Sequence, residues 1–354
     1  MKILIMAGGT GGHVFPALAI AQQLKKKGIE VAWLGTHEGI EATLVPKASI
    51  PLYFISIAGF RGKSFLKKLM APFKIIYSLV QSIQLLRHLQ VDKVLGLGGY
   101  ASGPGGMAAV LLKIPLFIHE QNAIPGTTNK ILAHFAKQIM QAFPHTFPEK
   151  YHPILTGNPI REDILQLPPP KIRFQHRTGP LRILVLGGSR GAQAINETFP
   201  KLASLLPSGF CEIVHQTGSK HFEITKKNYG GIMAVKLEAF IEDMAAHLAW
   251  ADIVVCRSGA LTVSELAAVG VASILIPFPF AIDDHQTANA AYLVDKGAGI
   301  LLPQSQLNAK ILAELITSFS RENALEKAKR AFALRLPEAS ESVVNTLLKG
   351  AFEN

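Results

Sequence analysis

The stretch ILIMAGGTGGH at residues 3–13 decides the fold class, because it joins a short apolar run to a glycine cluster and then to a helical pattern. The chain opens a second time in the same way, with ILVLGGSRGA at residues 183–192. A buried strand that passes through glycines into a helix is typical of a parallel α/β sheet. The repeated opening predicts two Rossmann-like domains in tandem; the alternative is one large domain with a long loop.

Further apolar runs alternate with helical patterns along both halves, which also favours the α/β class. The runs that predict strands are residues 31–34, 93–97, 116–119, 213–216, 253–256 and 273–276. Between the two halves lie Pro168, Pro169 and Pro170, followed by basic residues at 171, 173 and 177. This composition predicts a stiff, exposed linker.

The composition of the 354-residue chain excludes several classes of protein. Hydrophobic residues make up 49% and charged residues 17%, so a sizeable core is expected and general disorder is not. The two cysteines, Cys211 and Cys256, are too few for a disulfide scaffold or a cysteine-based zinc site and indicate a reducing compartment. We expect no signal peptide and no membrane-spanning segment, since glycines and prolines interrupt the long uncharged stretches.

The net charge of +11 is unevenly distributed. Residues 1–170 hold 17 basic and 8 acidic side chains, whereas residues 171–354 hold 19 and 17. The segment from Arg61 to Arg87 carries much of the excess, with apolar side chains between the basic ones. This mixture predicts docking on an anionic membrane surface; a solvated helix face over a buried stripe is the alternative. Nucleic-acid binding is disfavoured, because no nucleic-acid-binding motif is present.

The first glycine loop is a candidate anion site, because glycines allow close backbone approach and a helix N-terminus attracts negative charge. It is not a dinucleotide fingerprint, since Val14 stands where the third glycine would be. A nicotinamide dehydrogenase is therefore disfavoured. His13 lies at the start of the helix and is a candidate general base at neutral pH. The alternative, to which the sequence gives the same weight, is a histidine that caps the helix or forms a structural hydrogen bond.

The second half carries a more specific pattern, RSGALTVSE at residues 257–265, which follows a predicted strand. Its backbone amides suit a diphosphate, and the carboxylate of Glu265 suits both hydroxyls of a ribose. The pattern therefore predicts a nucleotide-diphosphate site; a capping box formed by Thr262 and Glu265 is the alternative. The amides of Gln286 and Asn289 share a helix face and suit sugar hydroxyls; ordinary surface residues are the alternative. Asn196, in the helix after the second glycine loop, is expected to face a cleft.

No Asp-x-Asp triplet occurs in the chain. Many enzymes that use sugar nucleotides hold a divalent metal on the diphosphate with such a triplet. Here helix dipoles and loop amides would have to stabilise the leaving group. We therefore predict no essential protein-bound metal and no cofactor.

Taken together, these motifs resemble the MurG family of glycosyltransferases (glycosyltransferase family 28). The resemblance covers essentially the whole chain. It rests on six segments in order: GGTGGHVFPALA (8–19), GLGGYASGPGG (96–106), HEQNAIPGTTNK (119–130), TGNPIR (156–161), GGSRGAQAIN (187–196) and RSGALTVSE (257–265). Two departures are an Arg at position 190, where relatives often have Gln, and a loop before Gln286 that is one residue longer than in some relatives.

The resemblance implies the GT-B fold, with two Rossmann-like domains and parallel sheets facing across a cleft. Residues 1–161 would form an N-terminal domain for the lipid acceptor and the membrane. Residues 162–337 would form the domain that binds UDP-GlcNAc, and a last helix at about 338–354 would pack back on the first domain.

The resemblance also implies roles for individual residues. Ile241 would hold the uracil through its backbone, and Glu265 would hold the ribose. His13 and Glu120 would lie near the reacting centre as candidate bases, with Tyr100 close by. The implied substrate-binding set is Thr10, Gly11, Gly12, Asn122, Arg161, Ser189, Ile241, Ala260, Leu261, Thr262, Val263, Ser264, Glu265 and Gln286.

The activity implied by the resemblance is inverting transfer of GlcNAc from UDP-GlcNAc to the 4-hydroxyl of MurNAc in lipid I, giving lipid II and UDP for peptidoglycan synthesis. The implied location is peripheral, on the cytoplasmic face of the bacterial inner membrane, with other cell-wall enzymes as partners and roles in cell shape and division. The alternatives are a UDP-GlcNAc 2-epimerase, which would leave the basic segment and HEQN without a role, and a non-catalytic nucleotide-sugar-binding protein.

Overall fold

The structure is a computed structural model that describes residues 1–57, 71–188, 191–230 and 235–349. The chain divides into two compact units. Unit 1 comprises Met1–Ile160 and Leu336–Asn354, and unit 2 comprises Arg161–Arg335.

Unit 1 is built on a seven-stranded sheet in which every neighbouring pair is parallel. Its strands are β1 (Lys2–Met6), β2 (Glu30–Gly35), β3 (Leu52–Phe54), β4 (Lys93–Gly96), β5 (Leu116–Glu120), β6 (Gln138–Gln141) and β7 (Ile154–Leu155). Its order is β3-β2-β1-β4-β5-β6-β7, so the direction of succession reverses between β1 and β4. Ligands of such sheets bind outside the carboxyl ends of the strands at this reversal.

The helices before the division are α1 (Gly11–Lys26), α2 (Glu41–Lys47), α3 (Ala71–Leu89), α4 (Ser102–Leu111) and α5 (Thr127–Leu132). Those of unit 2 are α6 (Glu162–Leu165), α7 (Pro170–Arg173), α8 (Gln193–Ala203), α9 (Phe222–Tyr229), α10 (Met244–Trp250), α11 (Ala260–Val269), α12 (His285–Val294), α13 (Ala309–Thr317) and α14 (Arg321–Ala333). The last helix, α15 (Ala339–Leu348), returns to unit 1. Short 3₁₀ turns lie at Glu149–Tyr151, Ile282–Asp284 and Gln304–Gln306.

Unit 2 repeats the arrangement with six parallel strands. They are β8 (Leu181–Leu186), β9 (Cys211–Gln216), β10 (Val235–Glu238), β11 (Ile253–Cys256), β12 (Ala272–Leu275) and β13 (Gly299–Leu301). The order β10-β9-β8-β11-β12-β13 again reverses at the first strand, between β8 and β11. The predicted α/β class with two Rossmann-like sheets is therefore confirmed.

Apolar side chains from strands and helices fill the core on each side of the first sheet. One core joins β1 and β2 to α1, and it includes Val343, Val344 and Leu347 of α15. The other core lies between the opposite face of the sheet and α3, α4 and α5. Because parallel strands are buried on both faces, they read as continuous apolar runs in the sequence.

The segment predicted as an exposed linker is instead folded onto unit 2. The guanidinium of Arg173 donates hydrogen bonds to the carbonyl oxygens of Val269, at 2.8 Å, and of Gly270. Arg177 pairs with the buried carboxylate of Asp252, to which Arg321 also donates, at 3.2 Å. The correction has a physical reason: buried carbonyls and a buried carboxylate need donors, and these arginines supply them.

Within the ranges that the structure describes, no helix combines the length and the apolar character needed to cross a membrane. In the same residues, no three His, Cys, Asp or Glu side chains lie together as a group that could hold a metal ion.

Candidate active site

The first glycine loop leaves the carboxyl end of β1 and leads into α1. Gly9 has a φ of +91°, which favours glycine. Thr10 is the N-cap of α1 in an extended conformation, and within the described chain its side chain makes no cap hydrogen bond. The N–H groups of Gly11 and Gly12 lie in the first turn of α1, at the positive end of the helix dipole. Thr10, Gly11 and Gly12 together form an anion-attracting edge on unit 1.

The ring of His13 lies beside the loop that follows β4. A Cβ added to Gly98 would lie 3.1 Å from the ring atoms Cδ2 and Nε2, and Gly98 has a φ of +98°. At Gly99 a Cβ would overlap the carbonyl of Gly8. The loops after two adjacent strands thus meet through glycines. His13 lies at this contact, on the carboxyl edge of the sheet. Tyr100, the residue after Gly99, is half-exposed.

Glu120 is the last residue of β5, and hydrogen bonds surround its buried carboxylate. Oε1 accepts from the backbone N–H of Asn122 at 3.0 Å and from its side chain at 3.2 Å. Oε2 accepts from the N–H of Gly126 at 3.0 Å and from the side chain of Asn129 at 2.9 Å. Four donors thus occupy the lone pairs of the two carboxylate oxygens. The arrangement suits a carboxylate that shapes the loop after β5 better than one that takes a proton from a substrate.

His119 precedes Glu120 and is fully buried, and no individual role is predicted for it from the sequence. Burial lowers the pKa of His119 to about 4, so the ring is neutral at pH 7. A neutral ring donates from one nitrogen and accepts at the other: Nε2 lies 3.0 Å from the carbonyl oxygen of Gly157, and Nδ1 lies 3.0 Å from Nε2 of Gln121. His119 therefore joins the loop after β5 to residue 157.

The second glycine loop begins at the carboxyl end of β8. Gly188 and Gly191 have φ values of +73° and +76°. At Gly187 a Cβ would lie 2.7 Å from the backbone nitrogen of Ala192. The loop therefore requires glycines, as its sequence indicates. Ser189 and Arg190, which the sequence argument placed in this loop, lie outside the described residues.

The side chain of Asn196 is buried, which corrects the expectation that it faces a cleft. Its side chain is buried in α8 and donates to the carbonyl oxygen of Thr217 at 2.9 Å. Its Oδ1 lies 3.0 Å from Nε2 of His215, whose Nδ1 lies 2.9 Å from the hydroxyl of Tyr229. Burial lowers the pKa of His215 to about 3. Asn196 thus belongs to a buried network beneath the loop, because these polar groups require partners.

The helix α11 begins at the carboxyl end of β11, and its N-cap is Gly259. Because glycine has no side chain, the first-turn N–H groups of Ala260, Leu261 and Thr262 have no N-cap side-chain oxygen to bind. Thr262 is the third residue of the helix, so it cannot act as the N-cap of a box with Glu265. The geometry thus removes the capping-box alternative, and the anion site stays a prediction.

Two neighbours in α11 differ from each other in what they can offer a ligand. The side chain of Val263 is fully buried, and its N–H donates to the carbonyl oxygen of Gly259 at 2.9 Å. The side chain of Val263 therefore belongs to the core, and the place of Val263 in the binding set stays a prediction. Ser264 is partly exposed.

Glu265 lies one turn farther along α11 with its side chain largely desolvated. Burial raises the pKa of Glu265 to about 7; the nearby guanidinium of Arg161 acts in the opposite direction, and Asp163 raises the pKa further. Arg161 is the N-cap of α6, and α6 packs against α11. Two residues far apart in sequence are thus brought together within unit 2. A carboxyl group with a strongly shifted pKa is a mark of a functional site.

The helix α12 supports the same loop from the other side. Asn289 is fully buried, and its side chain donates to the carbonyl oxygen of Ser258 at 3.2 Å. Gln286 is partly exposed, and its Oε1 accepts from the backbone N–H of Phe278 at 2.9 Å. The amide side chains of Gln286 and Asn289, predicted to share a helix face, therefore make different contacts. Asn289 fixes the loop before α11, which corrects its expected role with sugars, while Gln286 keeps its amide nitrogen for other contacts.

Ile241 lies in the segment between β10 and α10. Its side chain is buried. Any contact of this residue with a ligand would therefore use the backbone, as the resemblance implies for uracil.

The first half of α3 presents a large apolar surface to solvent. Phe73 is 69% and Ile76 is 59% exposed, and Ile75, Tyr77 and Val80 are also exposed. Lys74 lies among them. An apolar patch of this kind marks an interaction surface. Of the basic segment 61–87, residues 61–70 lie outside the described part of the chain, so Arg61, Lys63, Lys67 and Lys68 stay sequence predictions.

Comparison with known families gives the class of protein. Residues 3–141 match the Glycosyltransferase family 28 N-terminal domain, and residues 182–343 match the Glycosyltransferase family 28 C-terminal domain. The chain therefore belongs to glycosyltransferase family 28.

Similar curated proteins carry one particular name. A Burkholderia lata protein is 49% identical over 99% of this chain and 97% of its own length, and a Nitrosococcus oceani protein is 49% identical over 99% of each. Both are named UDP-N-acetylglucosamine–N-acetylmuramyl-(pentapeptide) pyrophosphoryl-undecaprenol N-acetylglucosamine transferase.

Among solved structures, MurG of Acinetobacter baumannii superposes with a TM-score of 0.87 at 41% identity, covering 98% of this chain and 99% of that one. The UDP-GlcNAc 2-epimerase of Neisseria meningitidis reaches a TM-score of 0.67 at 16% identity, covering 99% and 100%. The second likeness shows a shared fold alone.

Proposed function

We propose that this chain transfers N-acetylglucosamine from UDP-GlcNAc to lipid I, the undecaprenyl-diphosphate-linked MurNAc-pentapeptide, for peptidoglycan synthesis. The observation that carries the proposal is the 49% identity, over nearly the full length of both chains, to proteins named for that transfer. Membership of glycosyltransferase family 28 supports the same reaction class.

Unit 2 is proposed as the donor domain. The N-terminus of α11, at Ala260, Leu261 and Thr262, would bind the diphosphate through backbone N–H groups. Glu265 would accept hydrogen bonds from the ribose hydroxyls, and Ile241 would bind uracil through its backbone. The proposed set is completed by Arg161, Ser189, Val263, Ser264 and Gln286.

The charge on departing UDP would be stabilised by the positive end of α11 and by loop amides. Partial charges fixed before the reaction need no reorganisation as the bond breaks. The proposal accordingly needs no protein-bound metal, and transfer is expected to continue in EDTA.

Unit 1 is proposed as the acceptor domain, and Thr10, Gly11, Gly12 and Asn122 are its proposed substrate-binding residues. His13 would remove the proton from the 4-hydroxyl of MurNAc, the oxygen would attack the anomeric carbon of GlcNAc, and UDP would leave with inversion to a β-1,4 link. Glu120 is the alternative base. Its four hydrogen bonds favour His13, because a saturated carboxylate is poorly placed to accept a further proton.

The exposed apolar face of α3 is proposed as part of a membrane-docking surface, together with the basic residues of the segment 61–87. The expected location is the cytoplasmic face of the bacterial inner membrane, where a lipid-linked acceptor is reached without crossing the bilayer. Contacts with other cell-wall enzymes and roles in cell shape and division belong to the same proposal.

The decisive experiment follows radiolabelled UDP-GlcNAc with and without a lipid I analogue, and with EDTA added. Transfer of label to the lipid, with release of UDP only when the acceptor is present, is the expected result. Epimerised sugar nucleotide formed without acceptor would instead establish the epimerase, and binding of UDP-GlcNAc with no UDP released by any acceptor would establish a binding protein.

A further inference from the structure

Glu41 is a fully buried carboxylate that neither the sequence argument nor the proposed mechanism uses. It is the first residue of α2 in unit 1. Its Oε2 accepts a hydrogen bond from the backbone N–H of Gly9 at 2.9 Å. Its Oε1 accepts from both the backbone N–H and the hydroxyl of Thr36, each at 2.9 Å. Three donors from two separate loops therefore converge on one side chain.

The surroundings of this carboxylate are made of glycines. A Cβ added to Gly35, at the end of β2, would lie 2.7 Å from Cγ of Glu41. A Cβ at Gly8 would overlap its Oε1, and one at Gly39 would overlap its Oε2. Space at three glycines is thus filled by Glu41. Such close packing fixes the position of the carboxylate.

The bond to Gly9 connects this buried group to the candidate catalytic edge. Gly9 adopts its positive φ immediately before Thr10, the N-cap of α1, and His13 lies in the first turn of that helix. On the opposite side the loop packs against Gly99, whereas Glu41 holds it from the side of β2. Displacing the carboxylate would release one side of the loop that sets where α1 begins.

We propose that Glu41 is a positioning residue that fixes the first glycine loop and, through it, the ring of His13. The inference rests on the proposed transferase function. Only a carboxylate can accept all three bonds, because a glutamine amide has one acceptor atom and places N–H groups where the other oxygen stood. Misplacing a catalytic group by about 1 Å can cost on the order of 100-fold in rate.

Three variants test the role. Glu41→Gln keeps the shape of the side chain but removes one acceptor atom. Gly39→Ala keeps the carboxylate and places a methyl group against it; the φ of Gly39 is not positive, so alanine is tolerated by the backbone. Thr36→Val is the matched control, because it removes a hydrogen bond to Glu41 without touching Gly9. For each variant we measure kcat, KM for UDP-GlcNAc, the unfolding temperature and hydrogen exchange at the Gly9 amide.

We expect Glu41→Gln and Gly39→Ala to lower kcat about tenfold or more and to speed exchange at Gly9, with KM for UDP-GlcNAc within about twofold of the wild type. Thr36→Val should lower the unfolding temperature. Its kcat and its exchange rate at the Gly9 amide should stay as in the wild type. The proposal is overturned if the three variants lose kcat only in proportion to stability, or if Gly9 exchange is unchanged. If the wild-type protein showed no transferase activity, the proposed function would be wrong. Hydrogen exchange at the Gly9 amide in the Glu41 variant would still test whether Glu41 fixes the loop.

Discussion

Nε2 of His119 lies 3.0 Å from the carbonyl oxygen of Gly157, inside the buried part of unit 1. The contact joins the end of β5 to the segment after β7, across the intervening strand β6. Because the ring is neutral in the folded state, the contact couples the stability of this edge of the sheet to pH.

The first prediction concerns acid stability. The pKa of His119 is about 4 in the folded protein and about 6.5 in an unfolded chain, so the unfolded state binds more protons between these values. Stability should therefore fall as the pH drops from 6.5 to 4, by about 3 kcal/mol from this residue. His119→Gln should flatten that dependence in chemical denaturation. His88 is an exposed histidine near the end of α3, and His88→Gln should leave the pH dependence of stability unchanged. An equal effect of the His119 and His88 substitutions would contradict the prediction.

The second prediction has the opposite sign and concerns Glu265. Its folded pKa of about 7 lies above the ordinary value of 4.5, so the folded state binds more protons and stability falls as the pH rises from 4.5 to 7. Glu265→Gln should therefore raise the unfolding temperature relative to the wild type, with a difference that grows across this range and is constant above about pH 8. A difference that does not change with pH would show that the carboxylate is not destabilised by burial.

The third prediction is that the same carboxylate is needed for donor binding. Removing hydrogen bonds to a charged group costs about 1.5–3 kcal/mol each, so Glu265→Ala should weaken UDP-GlcNAc binding by about 10- to 100-fold in calorimetry. The exposed Glu197 of α8 provides the control, because Glu197→Ala removes a charge from unit 2 elsewhere. An unchanged affinity in Glu265→Ala would exclude the ribose role.

The fourth prediction separates the two candidate bases. His13→Ala should lower kcat with lipid I by about 10²–10⁴-fold at an unchanged unfolding temperature. Glu120→Gln should instead lower the unfolding temperature, because the amide cannot accept from four donors. If His13→Ala retained the wild-type kcat, the base would have to be sought elsewhere, with Glu120 first.

The fifth prediction concerns the apolar face of α3. Replacing the exposed Phe73 and Ile76 by serine should weaken binding to vesicles of anionic lipid by about tenfold or more, because each buries apolar area on docking. The unfolding temperature should be unchanged, and Gln84→Ser on the same helix should bind normally. Neutralising Lys63, Lys67 and Lys68 together should weaken vesicle binding in the same way while UDP binding persists.

The sequence alone determined the α/β class and the two repeated openings. It did so because buried parallel strands are continuous apolar runs, and because the turns at Gly9 and Gly188 require a positive φ that glycine provides. The run RSGALTVSE likewise identified the start of α11, because a helix N-terminus depends on the residues next to it in the sequence, here the N-cap Gly259.

The tertiary structure alone decided which polar side chains are buried and hydrogen-bonded within the protein. The sequence suggests ligand contacts for Asn196 and Asn289, and the resemblance implies a candidate base at Glu120. In the structure each of the three side chains is buried and donates or accepts hydrogen bonds within the protein. Glu41 gave no signal of its own beyond the glycines that surround it. Burial and side-chain partners depend on residues far apart in the chain. Examples are the hydrogen bond from Gly9 to Glu41 and the electrostatic interaction of Arg161 with Glu265, and no local pattern encodes such pairs.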